Sequence, residues 1–136
     1  MAKSRVSTIQ KIAWGYAILF LGVYSLDYVP GIMDANGKMF GLFGMTPMVD
    51  LGHLALGALA AISALISKKV ARWYFWGLGV WYAVDVMVYV FSHLNAISPL
   101  TNLLINLPHA LISISAFVIA AKVDTGTDER AVSASA

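Results

Sequence analysis

The sequence contains no cysteine and few charged residues. Without cysteine there can be no disulfides, thiolate metal sites or cysteine nucleophiles. Only 12% of the 136 residues are charged and 60% are hydrophobic, whereas a soluble domain has about 25% charged and about 45–50% apolar residues. The sequence also has no phosphate-binding loop, serine nucleophile elbow, zinc-protease helix or nucleic-acid signature. We therefore expect a membrane protein that is not an enzyme.

The hydrophobic residues are concentrated in four long runs, each close to the roughly 20 residues that cross a hydrocarbon core of about 30 Å. The predicted spans are 11–30, 47–66, 71–91 and 99–121. The first run is too long for a signal peptide and is followed by no cleavage site, so we expect it to be retained. The sequence predicts an all-α integral membrane domain over 1–122, an antiparallel bundle of four transmembrane helices, with a disordered polar tail over 123–136.

The basic residues are distributed unequally about the spans. Eight of the nine Lys and Arg residues lie on one side, and only Lys38 lies on the other. Because basic residues accumulate in cytoplasmic segments, we expect both termini to be cytoplasmic. Aromatic residues near the same span ends predict an interfacial belt at that face. They are Trp14, Tyr16, Trp73, Tyr74 and Trp76.

The two halves of the chain carry the same rare polar residues at matching positions. A shift of 58 positions places the first span on the third, and a shift of 56 places the second on the fourth. Each half then has Y-x-x-D on its first helix and [DN]-x-x-H on its second. A unit of two spans returns the chain to its starting side. We therefore predict two parallel helix-hairpin repeats, 11–66 and 71–122, related by a pseudo-twofold axis along the membrane normal.

Six polar residues of these repeats are predicted to form one layer. They are Asp27, Asp50, His53, Asp85, Asn106 and His109. Counted from the flanking basic residues at about 1.5 Å per residue, the aspartates of the first and third spans and both histidines lie roughly 20–24 Å from the inner surface. This depth is in the outer half of the bilayer. Since intramembrane charge is tolerated mainly inside a bundle, we expect the layer to face inward.

Helical spacing predicts which other residues share a face with the layer. Below the two histidines lie small residues, which allow close helix approach. They are Gly57, Ala60, Ala61 and Ala64 on the second span, and Ser113, Ala116 and Ala120 on the fourth. The aspartates of the first and third spans share faces with large residues instead. They are Phe20, Tyr24, Leu78, Trp81 and Tyr82.

Two interpretations of the polar layer stay open. Imidazole and carboxylate groups are ligands for zinc, copper or iron, two facing histidines can hold a haem or pigment, and buried Asp/His chains can relay protons. A metal or cofactor would bind through His53 and His109, although the spacing matches no recognised metal motif and nothing in the sequence requires a cofactor. Alternatively, each histidine bonds to an aspartate or asparagine and only holds neighbouring helices together.

The long connection between the first two spans is apolar but interrupted by glycines. It contains the turn dipeptide Asn36-Gly37, followed by a methionine- and phenylalanine-rich segment. We expect this segment to lie at the membrane interface or to contact a partner protein through Met39, Phe40 and Phe43.

The segment GLFGMTPMVDLGHLALGAL, residues 41–59, resembles the signature of the uncharacterised bacterial four-helix membrane proteins of domain-of-unknown-function family 4383. Members typically show a Leu-Phe-Gly loop, a proline, then N-x-x-H and a glycine four residues later. The matching residues are Leu42, Phe43, Gly44, Pro47, His53 and Gly57. Asp50 departs from the pattern, since asparagine is commoner there.

The segment NLPHALIS resembles the family's second copy through Asn106 and His109, with Ser113 in place of the glycine. The resemblance covers residues 12–122. It implies the four-helix architecture and a bacterial inner or photosynthetic membrane, but no activity.

From these features we expect a non-enzymatic membrane protein that is an accessory or structural subunit of a larger respiratory or photosynthetic complex. Its partners would be the lipid bilayer and other membrane subunits or a second copy, and not nucleic acid. The alternative is a protein that binds a metal, haem or pigment, or conducts protons or a small solute, through the Asp/His layer.

Overall fold

Within residues 5–125, which the computed structural model describes, the chain forms four α-helices and one short β-hairpin. The helices are α1 (Thr8–Leu26), α2 (Pro47–Ile66), α3 (Lys68–Ser92) and α4 (Pro99–Lys122). The antiparallel hairpin between α1 and α2 consists of β1 (Lys38–Met39) and β2 (Phe43–Gly44). Each helix is long and apolar enough to cross a membrane. This confirms the predicted all-helical fold with four candidate spans and indicates a membrane protein.

Side-chain caps determine where three of the helices begin. Ser7 accepts a hydrogen bond from the backbone N–H of Gln10, whose side chain in turn accepts one from the Ser7 N–H (3.1 Å). This capping box starts α1 at Thr8. Thr46 and Ser98 cap α2 and α4, each followed by proline at the first helical position. The starts of α2 and α4 therefore agree with the predicted spans.

Three helix boundaries differ from the predicted spans by three or more residues. α1 begins at Thr8 and not at residue 11. α1 ends at Leu26, although the apolar run continues to Pro30, because the chain turns there through two successive i to i+3 hydrogen bonds. α3 begins at Lys68, three residues before the predicted start. Ser67 alone separates it from α2, and its side chain caps α3 by accepting a hydrogen bond from the Val70 N–H (3.2 Å). The basic residues of this region thus lie in the first turns of α3.

The starts of α1 and α3 and the ends of α2 and α4 lie together. The Gln10 side chain donates to the Ala64 carbonyl of α2 (2.8 Å), and the Ile9 N–H donates to the Asp124 carboxylate beyond α4 (2.7 Å). Arg72 of α3 donates to two carbonyl oxygens at the end of α4. We call this the basic end of the bundle. The loop end is the opposite one, where α1 connects to α2 and α3 to α4.

Only the first part of the predicted tail, 123–136, can be placed. Residues 123–125 lie in the described range, and Asp124 there accepts the hydrogen bond from Ile9. The rest of the tail lies outside the described residues.

The helices pack as two hairpins. α1 packs mainly on α2 and α3 mainly on α4, and α3 also contacts α1 and α2. One glycine in each hairpin lies at a close contact. A Cβ atom on Gly57 would lie 2.8 Å from Cγ of Leu21, and one on Gly79 would lie 2.8 Å from Cδ1 of Phe117. Both distances are shorter than van der Waals contact, so a larger residue would push the paired helices apart.

Small residues fill the interior, as their helical spacing predicted. The predicted stripes of α2 and α4 are buried, apart from the half-buried Ala61. Phe20, Leu78 and Tyr82 are buried on α1 and α3. Trp81 does not join them, because it is 65% exposed on the outer side of α3.

The five aromatic residues predicted to form a belt divide into two groups. Three tryptophans are exposed near the basic end: Trp14, Trp73 and Trp76. The tyrosines connect helices instead. The Tyr16 hydroxyl lies 2.5 Å from Oγ of Ser115 on α4, and the Tyr74 hydroxyl donates to the Leu56 carbonyl of α2 (3.1 Å).

Candidate functional site

The second hairpin contains a complete Asp/His pair. Nδ1 of His109 on α4 lies 2.8 Å from Oδ2 of Asp85 on α3, so the imidazole donates a hydrogen bond to the carboxylate. The Tyr82 ring packs 4.8 Å from the His109 ring, measured between ring centroids. This pair joins α3 to α4, and it gives Oδ2 of Asp85 a hydrogen-bond donor.

Asn106 is buried, but it bonds to its own helix and not to this pair. Its Nδ2 donates to the backbone carbonyl and the side-chain oxygen of Asn102, both at 2.8 Å. Asn102 in turn donates to the Val90 carbonyl of α3 (3.4 Å). Asn102 was not predicted from the sequence. The only available signal was a second asparagine four residues earlier in an apolar run.

The corresponding region of the first hairpin lacks hydrogen-bond partners. Asp27 is the first residue beyond α1, and Asp50 lies in the first turn of α2, one turn before His53. Within the described chain, three buried atoms have no hydrogen-bond partner: Oδ1 of Asp27, Oδ1 of Asp50 and Nδ1 of His53. We call these three residues the orphan cluster. Such atoms are rare, because an unsatisfied buried polar group carries a desolvation penalty.

Two carboxyl groups of the orphan cluster lie against each other. Burial, followed by the presence of the Asp50 carboxyl beside it, raises the pKa of Asp27 to about 6. Two adjacent carboxylates repel each other, and a single proton held between them relieves the repulsion. The pair can therefore bind and release a proton near neutral pH.

The two predicted histidine ligands are connected through aromatic rings. The Phe20 ring lies 6.2 Å from the His53 ring and stacks on the Tyr82 ring at 6.0 Å, and Tyr82 reaches His109. Among residues 5–125, no group of three or more Asp, Glu or His side chains is placed to hold a metal ion. The polar layer is thus divided into the orphan cluster, the Asp85–His109 pair and the Asn106 network.

The connection between α1 and α2 folds into the β1–β2 hairpin. Oδ1 of Asp34 accepts hydrogen bonds from the N–H groups of Asn36 and Lys38, both at 2.8 Å, which fixes the turn at Gly37. Of the predicted partner contacts, Met39 is 4% exposed, Phe43 is half-buried and Phe40 is 62% exposed. Of these three residues, only Phe40 therefore projects from this connection.

Comparisons of the chain with known protein families, curated proteins and solved structures found no match. The resemblance to family 4383 therefore stays a prediction. The functional argument depends on the geometry described above.

Proposed function

We propose that this chain is a non-enzymatic membrane subunit that associates laterally with a transmembrane helix of a partner subunit. An apolar groove of about 410 Å³ between α2 and α3 carries the proposal. Trp73, Gly77 and Trp81 line its α3 wall at successive helical turns, and Leu59 and Ile62 line its α2 wall. A Cβ atom on Gly77 would meet nothing within 4 Å. A glycine between two large exposed side chains favours close approach of another helix.

The groove can be closed by a single substitution. Gly77→Leu is expected to abolish co-purification of the chain with its partner from native membranes in mild detergent, because the leucine occupies the space that the partner helix requires. Size-exclusion chromatography with mass determination would measure the assembly. The matched control is Gly15→Leu on α1, where a Cβ also meets nothing within 4 Å. If the wild-type chain is a lone monomer at native expression, or Gly77→Leu assembles normally, the proposal is wrong. If the mass shows only copies of this chain, the groove binds a second copy and the assembly is a homo-oligomer.

The two hairpins are, in this proposal, repeats of one unit. Their close contacts support this. Gly57 meets Leu21 in the first hairpin, and the residues at the shifted positions, Gly79 and Ser113, meet in the second, where Ser113 donates to the Gly79 carbonyl (2.8 Å). The glycine lies on the second helix of the first hairpin and on the first helix of the second hairpin, but both contacts occupy the same position in the repeat alignment. The basic end faces the cytoplasm, supported by six of the seven Lys and Arg residues in the described part of the chain.

The orphan cluster favours a second function, proton binding and release at the loop end. Its two carboxyl groups and unpartnered imidazole nitrogen can exchange one proton, and it lies opposite the basic end. We expect the purified chain in detergent to take up a proton as the pH is lowered from 8 to 5, as measured by infrared difference spectroscopy of the carboxyl band. Asp50→Asn is expected to take up less over the same range. Equal uptake by the wild type and Asp50→Asn would contradict this function and leave the lateral association unaffected.

A further inference from the structure

A cleft of about 390 Å³ opens at the basic end, between the start of α1 and the junction of α2 with α3. This volume lies in the range of small-ligand pockets, about 300–1,000 Å³. Its lining includes Arg5, Gln10, Trp14, Ile66, Ser67 and Lys68. The cleft is far from the polar layer, which lies towards the loop end of the same helices.

Two features hold the cleft in shape. The hydrogen bond from the Gln10 side chain to the Ala64 carbonyl (2.8 Å) joins its two walls. Ser67 forms the whole connection between α2 and α3, so the first turn of α3 starts at the cleft. The Ser67 cap satisfies one N–H group of this helix start, which still carries a partial positive charge. The walls therefore come from two helices that are bonded to each other.

The described lining of the cleft carries positive charge. Arg5 and Lys68 are basic, and none of the described lining residues is acidic. Asp124 accepts its hydrogen bond from Ile9 nearby, but it does not line the cleft. A cluster of basic side chains at the end of a membrane bundle, together with a helix start, favours a phosphate group.

The rest of the lining is apolar and lies where the helices leave the membrane. Val6, Leu65 and Ile66 are all more than half exposed, and the Trp14 indole is also exposed. A soluble anion would leave these groups in water, whereas acyl chains would cover them. Indole side chains typically occupy the headgroup level. We infer that the cleft binds the phosphodiester headgroup of an anionic phospholipid, with the acyl chains lying along α1 and α2.

Native mass spectrometry of the full chain in mild detergent tests this inference. With added phosphatidylglycerol we expect one preferred lipid adduct, and with phosphatidylcholine only weak binding. Removing one charge, as in Arg5→Gln, is expected to weaken phosphatidylglycerol binding about fivefold, and Arg5→Gln with Lys68→Gln about thirtyfold. Arg5→Lys is expected to retain most of the affinity.

Lys38→Gln is the matched control, because it removes a basic residue at the loop end and is expected to leave lipid binding unchanged. Circular dichroism of each variant shows whether it is folded. The inference fails if the folded double variant still binds phosphatidylglycerol like wild type, or if Lys38→Gln weakens binding equally. Full displacement of the lipid by millimolar inorganic phosphate would also overturn it, since the cleft would then be a site for free anions.

Discussion

Asp50→Asn is expected to raise the melting temperature of the chain in detergent at pH 8. The wild-type chain holds two carboxyl groups against each other, each with a buried oxygen that accepts no hydrogen bond. An asparagine amide at this position can donate to Asp27, and such bonds in membrane bundles contribute roughly 0.6–2 kcal/mol. We expect a gain of about 1 kcal/mol in the free energy of unfolding. Thermal unfolding followed by circular dichroism would measure it.

The same change is expected to flatten the pH dependence of stability. Because the pKa of Asp27 is raised from 3.8 to about 6, the folded chain binds more protons than the unfolded chain between these values. Stability of the wild type therefore falls as pH rises from about 4 to 6 and stays at the lower level above that range. Without the Asp50 carboxyl the pKa of Asp27 moves part of the way towards its ordinary value, while burial, the largest cause of the rise, remains. The melting temperature should then depend less on pH in this window.

Asp85→Asn is the matched control, because it makes the same chemical change at the position that pairs with Asp27 in the repeat alignment. There the carboxylate accepts a hydrogen bond from His109 (2.8 Å). An asparagine can still accept this bond through its amide oxygen, but without the negative charge the bond is weaker. Asp85→Asn is therefore expected to lower stability at pH 8, the opposite sign to Asp50→Asn. A lower melting temperature of Asp50→Asn at pH 8 would mean that the Asp27 and Asp50 carboxyl groups do not destabilise each other.

The helical spans could be predicted from the sequence where a local signal marked the helix start. The span 47–66 agrees with α2 because Thr46 and the following proline mark its first residue. Hydropathy alone does not mark a helix end, so the first span was extended beyond Leu26 to Pro30. The start of the third span shows the same effect. The predicted span begins at residue 71, after two lysines, but the Ser67 cap begins α3 at Lys68.

The spacing of polar residues predicts which side chains belong to the polar layer, but it does not predict which of them form hydrogen bonds with each other. Repeat matching predicts equal roles for Asp27 and Asp85, and only Asp85 is paired with a histidine. The difference depends on where α1 ends, because Asp27 lies beyond its helix whereas Asp85 lies within α3. It also depends on Asp50, a carboxylate where the second repeat has the amide of Asn106. Pairing is thus a tertiary property that spacing within one helix cannot determine.

Gly79→Ala is expected to destabilise the bundle by about 1–3 kcal/mol, the usual cost of inserting a methyl group into a packed contact. The new Cβ would lie 2.8–3.0 Å from three ring carbons of Phe117. That ring also packs against Trp76 at 5.7 Å. Moving α3 away from α4 would lengthen the hydrogen bond from Ser113 to the Gly79 carbonyl (2.8 Å). Thermal unfolding in detergent would measure the loss.

Gly77→Ala separates this steric effect from the effect of alanine on the helix itself. Gly77 lies two residues earlier on α3, and a Cβ there meets nothing within 4 Å. Alanine is the better helix former by about 1 kcal/mol in water, so Gly77→Ala should be neutral or stabilising. Phe117→Leu combined with Gly79→Ala should recover part of the loss, because the smaller side chain vacates the space near the new Cβ. Equal stability of Gly79→Ala and Gly77→Ala would mean that α3 and α4 do not approach closely at this glycine.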